Sequence, residues 1–202
     1  MIAAVVFDIG SVLEVIDESV FPAPFEERVG LPPGAVVAAS DFAGEPGLGE
    51  LTEAEVRGHW QSRLGLSDQQ ADALMADYWR WYAGSLDRPL VDWFAGVRGR
   101  GLKAGILSNS GPGAREAERR WGFEEMTDDI VYSHEVGLSK PDPAVYALAA
   151  ARLGVEPGQI VFLDDAEVNV LAARAAGWHG VLHEDTTRSI AELERIIATG
   201  TS

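Results

Sequence analysis

The feature that most constrains this chain is an unbroken apolar run, Ile2 to Phe7, that stops at Asp8 and passes into Ile9-Gly10-Ser11. A strand buried on both faces reads as a continuous apolar stretch rather than as an alternation, and Gly-Ser after it marks a tight turn. The same pattern returns twice. Ala104 to Leu107 empties into Ser108-Asn109-Ser110-Gly111, and Ile160 to Leu163 empties into Asp164-Asp165. Two shorter runs, Ile130 to Tyr132 and His179 to Leu182, read as further strands. The segments between them carry helical signals: Val91 to Val97, Ala114 to Trp121 halted by Gly122, a helix through Leu153 capped by Asp142 with Pro143 in its first turn, Val168 to Ala176 halted by Gly177, and Ile190 to Ala198. Strands alternating with helices imply right-handed crossovers, so the expected fold class is α/β, a doubly wound parallel sheet.

One long segment breaks this rhythm. From about Glu14 to Leu86 no buried-strand run occurs, and the expectation is a small all-helical unit inserted after the first strand. The division drawn from the sequence is a core of residues 1–15 and 86–202 with an insert of residues 16–85. Inside the insert, Phe25 to Val29 before Gly30 suggests a short helix, and Pro32-Pro33 opens another over Ala35 to Ser40. Thr52 with Glu55 and Ser67 with Gln70 form two capping boxes that start longer helices. Gly44 to Gly49 is turn chemistry and should be an exposed loop. The aromatic block Tyr78-Trp79-Arg80-Trp81-Tyr82 has helical spacing and reads as the insert's own core rather than as a recognition surface.

Composition narrows the class of partner. With 32 acidic against 16 basic residues the net charge is −16, so phosphate backbones and anionic lipid are repelled, and neither nucleic acid nor a membrane surface is an expected partner. The only lysines are Lys103 and Lys140, so any site for an anion must be built from very few cations or from a metal ion. With no cysteine, thiolate catalysis, disulfides and zinc-thiolate sites are excluded. The first apolar run has no basic leader and is interrupted early by Asp8, which suggests a soluble protein of the cytoplasm. The sequence does not fix the oligomeric state.

In an open parallel sheet, ligands bind in the crevice beyond the carboxyl ends of the strands. Asp8, Ser108-Asn109 and Asp164-Asp165, with Asn169 one turn later, all fall at such ends and should converge. Three carboxylates gathered there would be pushed towards their protonated forms unless a cation sat among them. Hard oxygen donors without His or Cys suit Mg²⁺. Lys140 lies in a proline-braced loop, Ser139-Lys140-Pro141-Asp142-Pro143, just before a helix, and the bracing should fix where its ammonium points.

Taken together, Asp8 after its strand, Ser108 at the end of the second, Lys140 before Pro-Asp-Pro and Asp165 in a strand-end acidic pair resemble the four signature motifs of the haloacid dehalogenase-like hydrolase superfamily. The insert is similar to the small helical cap of that superfamily. The resemblance covers nearly the whole chain and implies a Rossmann-like core. It also implies a Mg²⁺-dependent phosphatase that works through an aspartyl-phosphate on a small phosphorylated metabolite. By that resemblance Asp8 is the catalytic nucleophile, and Lys140 is the catalytic cation that also binds the transferred group. Ser108 binds the phosphoryl oxygens, with Asn109 as a further substrate contact. Asp8, Asp165 and the Gly10 carbonyl hold the metal, while Asp164 and Asn169 support them from behind. The nearest subgroup in this resemblance is the sugar-phosphate phosphatases and the N-terminal phosphatase domain of soluble epoxide hydrolase.

The pattern departs from the superfamily at one position. Two residues after the nucleophile, where most phosphatases carry an Asp that acts as general acid and base, this chain has Gly10. A backbone carbonyl there can still face a metal, but no side chain remains to move a proton, a contribution typically worth about 10² to 10⁴ in rate. Glu45 and Glu50 on the insert loop, Glu14 after the first strand and Asp164 are the alternative donors. The gap also leaves two other readings: a metal-free 2-haloacid dehalogenase, in which the halide leaves unprotonated, and a non-catalytic binding protein that keeps the pocket. The strand-end pair Asp164-Asp165 speaks against the dehalogenase. His59, His134, His179 and His183 are expected in structural roles.

Overall fold

The computed structural model describes residues 1–199. Its centre is a five-stranded, wholly parallel sheet in the order β5-β4-β1-β6-β7. The strands are β1 (Ala4–Phe7), β4 (Lys103–Ser108), β5 (Asp129–Tyr132), β6 (Ile160–Asp164) and β7 (His179–Leu182). The registers Phe7↔Ile106 and Phe7↔Leu163 set the end of β1 level with the ends of its neighbours, so the polar residues that follow emerge side by side.

Alternation of side chains distributes each strand between two cores. Val5, Phe7, Ile106, Val161 and Leu163 face one layer, against α5 (Arg88–Ala95) and α11 (Thr186–Thr199). Ala4, Val6, Leu107, Ile160 and Phe162 face the other, against α9 (Pro143–Leu153) and α10 (Glu167–Ala175). Burial on both faces is why the inner positions of these strands carry no polar side chain, and why a polar residue at their ends stands out. The expected doubly wound α/β architecture is what the chain adopts.

The long intervening segment forms α1 (Ala23–Val29), α2 (Ala35–Ala38), α3 (Glu53–Leu64) and α4 (Asp68–Ala83) around a separate apolar cluster that includes Phe25, Trp60, Leu74 and Met75. Both capping boxes form, Thr52 with Glu55 ahead of α3 and Ser67 with Gln70 ahead of α4. The sequence expectation missed a two-residue ribbon where the chain leaves and re-enters the core. There β2 (Glu14–Val15) pairs antiparallel with β3 (Ser85–Leu86). Strands this short are set by the meeting of the two connecting segments, and no local propensity announces them. The expected helix over Ala114 to Trp121 is α6 (Ala114–Glu118) continued by a 3₁₀ turn, and two further short helices, α7 (Phe123–Met126) and α8 (Ser133–Val136), flank β5. Among the described residues no helix is long and apolar enough to cross a membrane.

The aromatic block of α4 is divided by its position on the helix. Tyr78 and Trp81 pack into the insert cluster, Tyr82 packs against the sheet core, and Trp79 touches both. The expectation of a core role therefore holds for part of the block, while Tyr78 and Tyr82 also border the cleft between the insert and the sheet.

Candidate active site

The polar ends of β1 and β6 meet directly, and that of β4 joins them through Asn109, which bonds the Lys140 backbone. One carboxylate oxygen each from Asp8, Asp164 and Asp165 lie within 4.8 Å of one another. Lys140 stands among them, only 4% exposed, and its Nζ donates to Asp8 Oδ1 at 2.8 Å and to Asp164 Oδ2 at 2.7 Å. The stem of this lysine runs over the Phe162 ring, with Nζ 5.6 Å from its centroid.

Each group is held by local structure that the sequence makes legible. Asp8 leaves the carboxyl end of β1, and its Oδ1 accepts from the Ile9 amide at 2.8 Å. Asp164 is the last residue of β6 and is fully buried. Its Oδ1 accepts from the Ala166 amide at 2.9 Å and from Asn169 Nδ2 at 3.0 Å, so it orients its neighbours and has little freedom of its own. Asp165, one residue on, is exposed. Lys140 precedes a cis Pro141, and its backbone is clamped by the Asn109 side chain. Asn109 Oδ1 accepts from the Lys140 amide and Asn109 Nδ2 donates to the Lys140 carbonyl, each at 2.8 Å. Asn109, expected as a substrate contact, thus serves first to lock the lysine loop to the end of β4. Ser108 is buried at that same end.

The electrostatics follow from burial. Desolvation pushes the Asp8 carboxyl up to about 6 even though the Lys140 ammonium pulls it down, and Asp164 pushes it further up. Asp165 is raised by desolvation and by Asp164. With all three carboxylates ionised and one ammonium among them, the cluster carries two unbalanced negative charges, which a divalent cation would neutralise. All its donors are hard oxygens, with no His or Cys, and that set suits Mg²⁺. The residues present fit such an ion.

A cavity of about 490 Å³ opens between the insert and the core, reaching the carboxylate cluster's surroundings through Asn109, which clamps Lys140, and Ser139, which precedes it. Phe42, Tyr78 and Tyr82 line it from the insert, and Asn109, Ser110 and Ser139 line it from the core. The loop expected to be exposed, Gly44 to Gly49, forms part of its wall and rests on the core. A Cβ at Gly49 would sit 2.1 Å from the His134 carbonyl oxygen, and Gly49 has φ +75, so only glycine permits this approach. Glu45 borders the cavity, and Glu50 accepts from the Glu45 amide at 2.9 Å, which staples the loop.

The histidines have structural partners. His59 Nε2 lies 3.0 Å from the Ala39 carbonyl, His134 Nδ1 lies 2.8 Å from Ser110 Oγ, His179 Nε2 lies 3.1 Å from the Gly158 carbonyl, and His183 Nδ1 lies 2.8 Å from Ser189 Oγ.

Sequence reasoning missed one buried acid whose ionisation the Asp8 charge affects. Glu118, at the end of α6, is 1% exposed, and so is Glu14 on β2. Both oxygens of Glu14 and Oε1 of Glu118 have no hydrogen-bond partner, while Glu118 Oε2 accepts from the Tyr132 hydroxyl. Desolvation, reinforced by Glu118, pushes Glu14 up to about 9. Desolvation raises Glu118 to about 7 against the Tyr132 hydrogen bond, which lowers it. The sequence held a faint signal: Glu118 is four residues after Ala114 and therefore shares its buried helix face.

Comparison with known proteins agrees with this arrangement. Bifunctional epoxide hydrolase 2 of Rattus norvegicus is 29% identical over 122 residues, covering 58% of this chain and 22% of its own length. Phosphatase MT3486 of Mycobacterium tuberculosis (strain CDC 1551 / Oshkosh) is 33% identical over 123 residues, covering 59% of this chain and 55% of its own. The chain thus spans about a fifth of the first relative and about half of the second. A HAD family enzyme from Bacteroides thetaiotaomicron, solved in complex with magnesium and inorganic phosphate, superposes with a TM-score of 0.76 at 21% identity, over 93% of this chain and 98% of that one. Residues 2–177 match the family of haloacid dehalogenase-like hydrolases, and the chain belongs to that family.

Proposed function

We propose that the protein is a Mg²⁺-dependent phosphomonoester hydrolase that acts on a small phosphorylated metabolite through a covalent phosphoryl-enzyme on Asp8. The observation that carries this reading is the meeting of Asp8, Asp164 and Asp165 around the buried Lys140 ammonium, at the carboxyl ends of the central strands. Phosphatases among the relatives support the substrate class.

Asp8 Oδ1 is engaged by Lys140 and by the Ile9 amide, so attack on phosphorus falls to Oδ2. Splitting one displacement into attack by a carboxylate and attack by water replaces one hard step with two easier ones. Lys140 offsets charge on the reacting oxygens without any rearrangement, because Asn109 has already fixed its loop. The Ser108 hydroxyl, at the end of β4, donates to a phosphoryl oxygen. Asp164 holds the lysine, and Asn169 holds Asp164. Asp8, Asp165 and the Gly10 carbonyl would hold the Mg²⁺, whose charge draws electron density from the phosphoryl oxygens when bound. The insert serves as a cap that closes over the cavity and keeps bulk water from the phosphoryl group.

The test is a panel of an aryl phosphate, small sugar phosphates and 2-haloacids, assayed with Mg²⁺ and with EDTA, on the protein and on Asp8→Asn. Phosphate release that EDTA abolishes and that Asp8→Asn lowers by about 10³ or more is the expected result. Halide release independent of metal would replace the proposal with a dehalogenase. No turnover of any compound would leave a binding protein.

A further inference from the structure

The superfamily resemblance leaves the reaction without a proton donor at Gly10. The structure leaves an unexplained pair of buried acids, Glu118 and Glu14, the latter hydrogen-bonded through its amide to the Ile9 carbonyl next to Asp8, and a tyrosine, Tyr82, lines the cavity. We propose that the Tyr82 hydroxyl, backed by the Glu118 carboxyl, is the proton relay that protonates the leaving alcohol and later accepts a proton from the attacking water. The inference rests on the phosphatase reading above.

Three observations carry it. Tyr82, from α4, lines the same cavity as Asn109 and Ser110, so its ring borders the space a leaving group would occupy. Behind it, α4 packs against α6, and Trp121 Nε1 donates to the Ala83 carbonyl at 3.2 Å just past Tyr82, which brings the end of α4 to the end of α6 that carries Glu118. The charges of Glu118 and Asp8 both bear on Tyr82. Glu118 is 1% exposed and has one oxygen held by Tyr132, while the other is without a hydrogen-bond partner. A buried carboxyl oxygen left unpaired costs about 1–3 kcal/mol, so a site that keeps one asks for an explanation. Of the other candidate donors, Glu45 borders the same cavity but is exposed to solvent, and among the described residues no buried group stands behind it to return its proton. Asp164 spends its oxygens on Lys140, Ala166 and Asn169, and the Glu50 carboxylate is bound to the Glu45 amide.

The division of labour follows from the chemistry of the two groups. Burial and the surrounding acids raise Tyr82 well above its ordinary value, so a free phenolate there is unfavourable and Tyr82 cannot act alone. As Asp8 forms its bond to phosphorus and the ester P–O bond breaks, the leaving oxygen takes the Tyr82 proton and the phenolic oxygen takes the Glu118 proton. The carboxylate so formed keeps its hydrogen bond from Tyr132. In the second half, water attacks the phosphorylated Asp8, the Asp8–phosphorus bond breaks, and the water's proton passes through Tyr82 to Glu118, which restores the starting state. Glu118 titrates at about 7, so it can both give and take the proton near neutral pH. Its setting comprises Tyr82 on α4, Glu14 on β2, Asp8 after β1, Tyr132 on β5, and Arg115 on its own helix, with Arg120 beside Glu14. Glu14, raised further, stays neutral over that range and leaves Glu118 as the member of the pair that changes charge.

The experiment compares Tyr82→Phe and Glu118→Gln with the unchanged protein on two phosphomonoesters, one whose leaving alcohol needs a proton (an alkyl phosphate) and one whose leaving group does not (4-nitrophenyl phosphate). Because the relay also takes the water's proton in hydrolysis of phosphorylated Asp8, a step common to both esters, the discriminating readout is kcat/KM, which reports formation of the phosphoryl-enzyme. A relay predicts a loss of about 10² or more in kcat/KM on the alkyl ester and at most about threefold on the nitrophenyl ester, for either variant. The kcat/KM of the unchanged protein on the alkyl ester should fall as pH rises through about 7. That limb should vanish in Glu118→Gln. Equal losses in kcat/KM on both esters would reveal a merely structural role and overturn the relay, as would an unchanged kcat/KM on the alkyl ester. If the unchanged protein hydrolyses neither ester, the phosphatase reading itself fails, and the relay with it. A thermal melt of each variant confirms that it is folded.

Discussion

Replacing Glu14 with Gln tests directly how burial controls this site. Glu14 is 1% exposed, has no partner for either carboxyl oxygen, and is pushed from an ordinary 4.5 up to about 9. In the unfolded chain it loses its proton near 4.5, whereas in the native protein it keeps it. Between these values the native state binds one proton more, so stability falls as pH rises, by about 1.4 kcal/mol per pH unit. At pH 7 this amounts to about 3 kcal/mol, a large share of the 5–15 kcal/mol typical of a domain. Gln has nearly the same shape and leaves similar polar atoms unpaired, but it has no proton to hold. Urea denaturation of both proteins at several pH values from 5 to 8 should show Glu14→Gln gaining on the unchanged protein by about 1.4 kcal/mol for each pH unit. The difference between the two curves isolates this residue from the background of a chain with net charge −16. A difference that stays flat across the range would show that Glu14 ionises at its ordinary pH, and burial would then not be the force acting on the site.

Three further outcomes are expected. Lys140→Met leaves Asp8 and Asp164 buried with no counter-charge, at a cost of about 3–5 kcal/mol, and adding Asp164→Asn should restore part of that stability in a denaturation series while activity stays lost. Gly49→Ala places a Cβ against the His134 carbonyl at a positive φ, so the insert loop must lift from the core; KM should rise several-fold in the phosphatase assay, with little change in melting temperature. Thr52→Ala removes the side chain that accepts from the Glu55 amide at the start of α3 and should cost about 1 kcal/mol in a thermal melt, without changing kcat.

Much of this protein is written in its sequence because the informative signals are local. A strand buried on both faces must be apolar at every position, so Ile2 to Phe7, Ala104 to Leu107 and Ile160 to Leu163 are visible at once, and so are the polar residues that end them. Capping boxes are equally local, and both formed where Thr52 and Ser67 predicted them. Parallel pairing then leaves little choice about where Asp8, Asp164 and Asp165 lie, since strands in register end together.

What only the tertiary structure decided depends on which distant surfaces meet. That the Asn109 amide locks the Lys140 loop follows from a contact between residues 31 apart, and nothing near either residue announces it. The two-residue ribbon of Glu14–Val15 with Ser85–Leu86 forms because the insert's entry and exit strands are brought together, not because those residues favour extended backbone. Glu118 reads as an ordinary helix-surface acid until α6 is packed beside β5 and beneath α4. Its titration behaviour is set by the water that packing removes, and burial of that kind is a property of the assembled neighbourhood rather than of any stretch of chain.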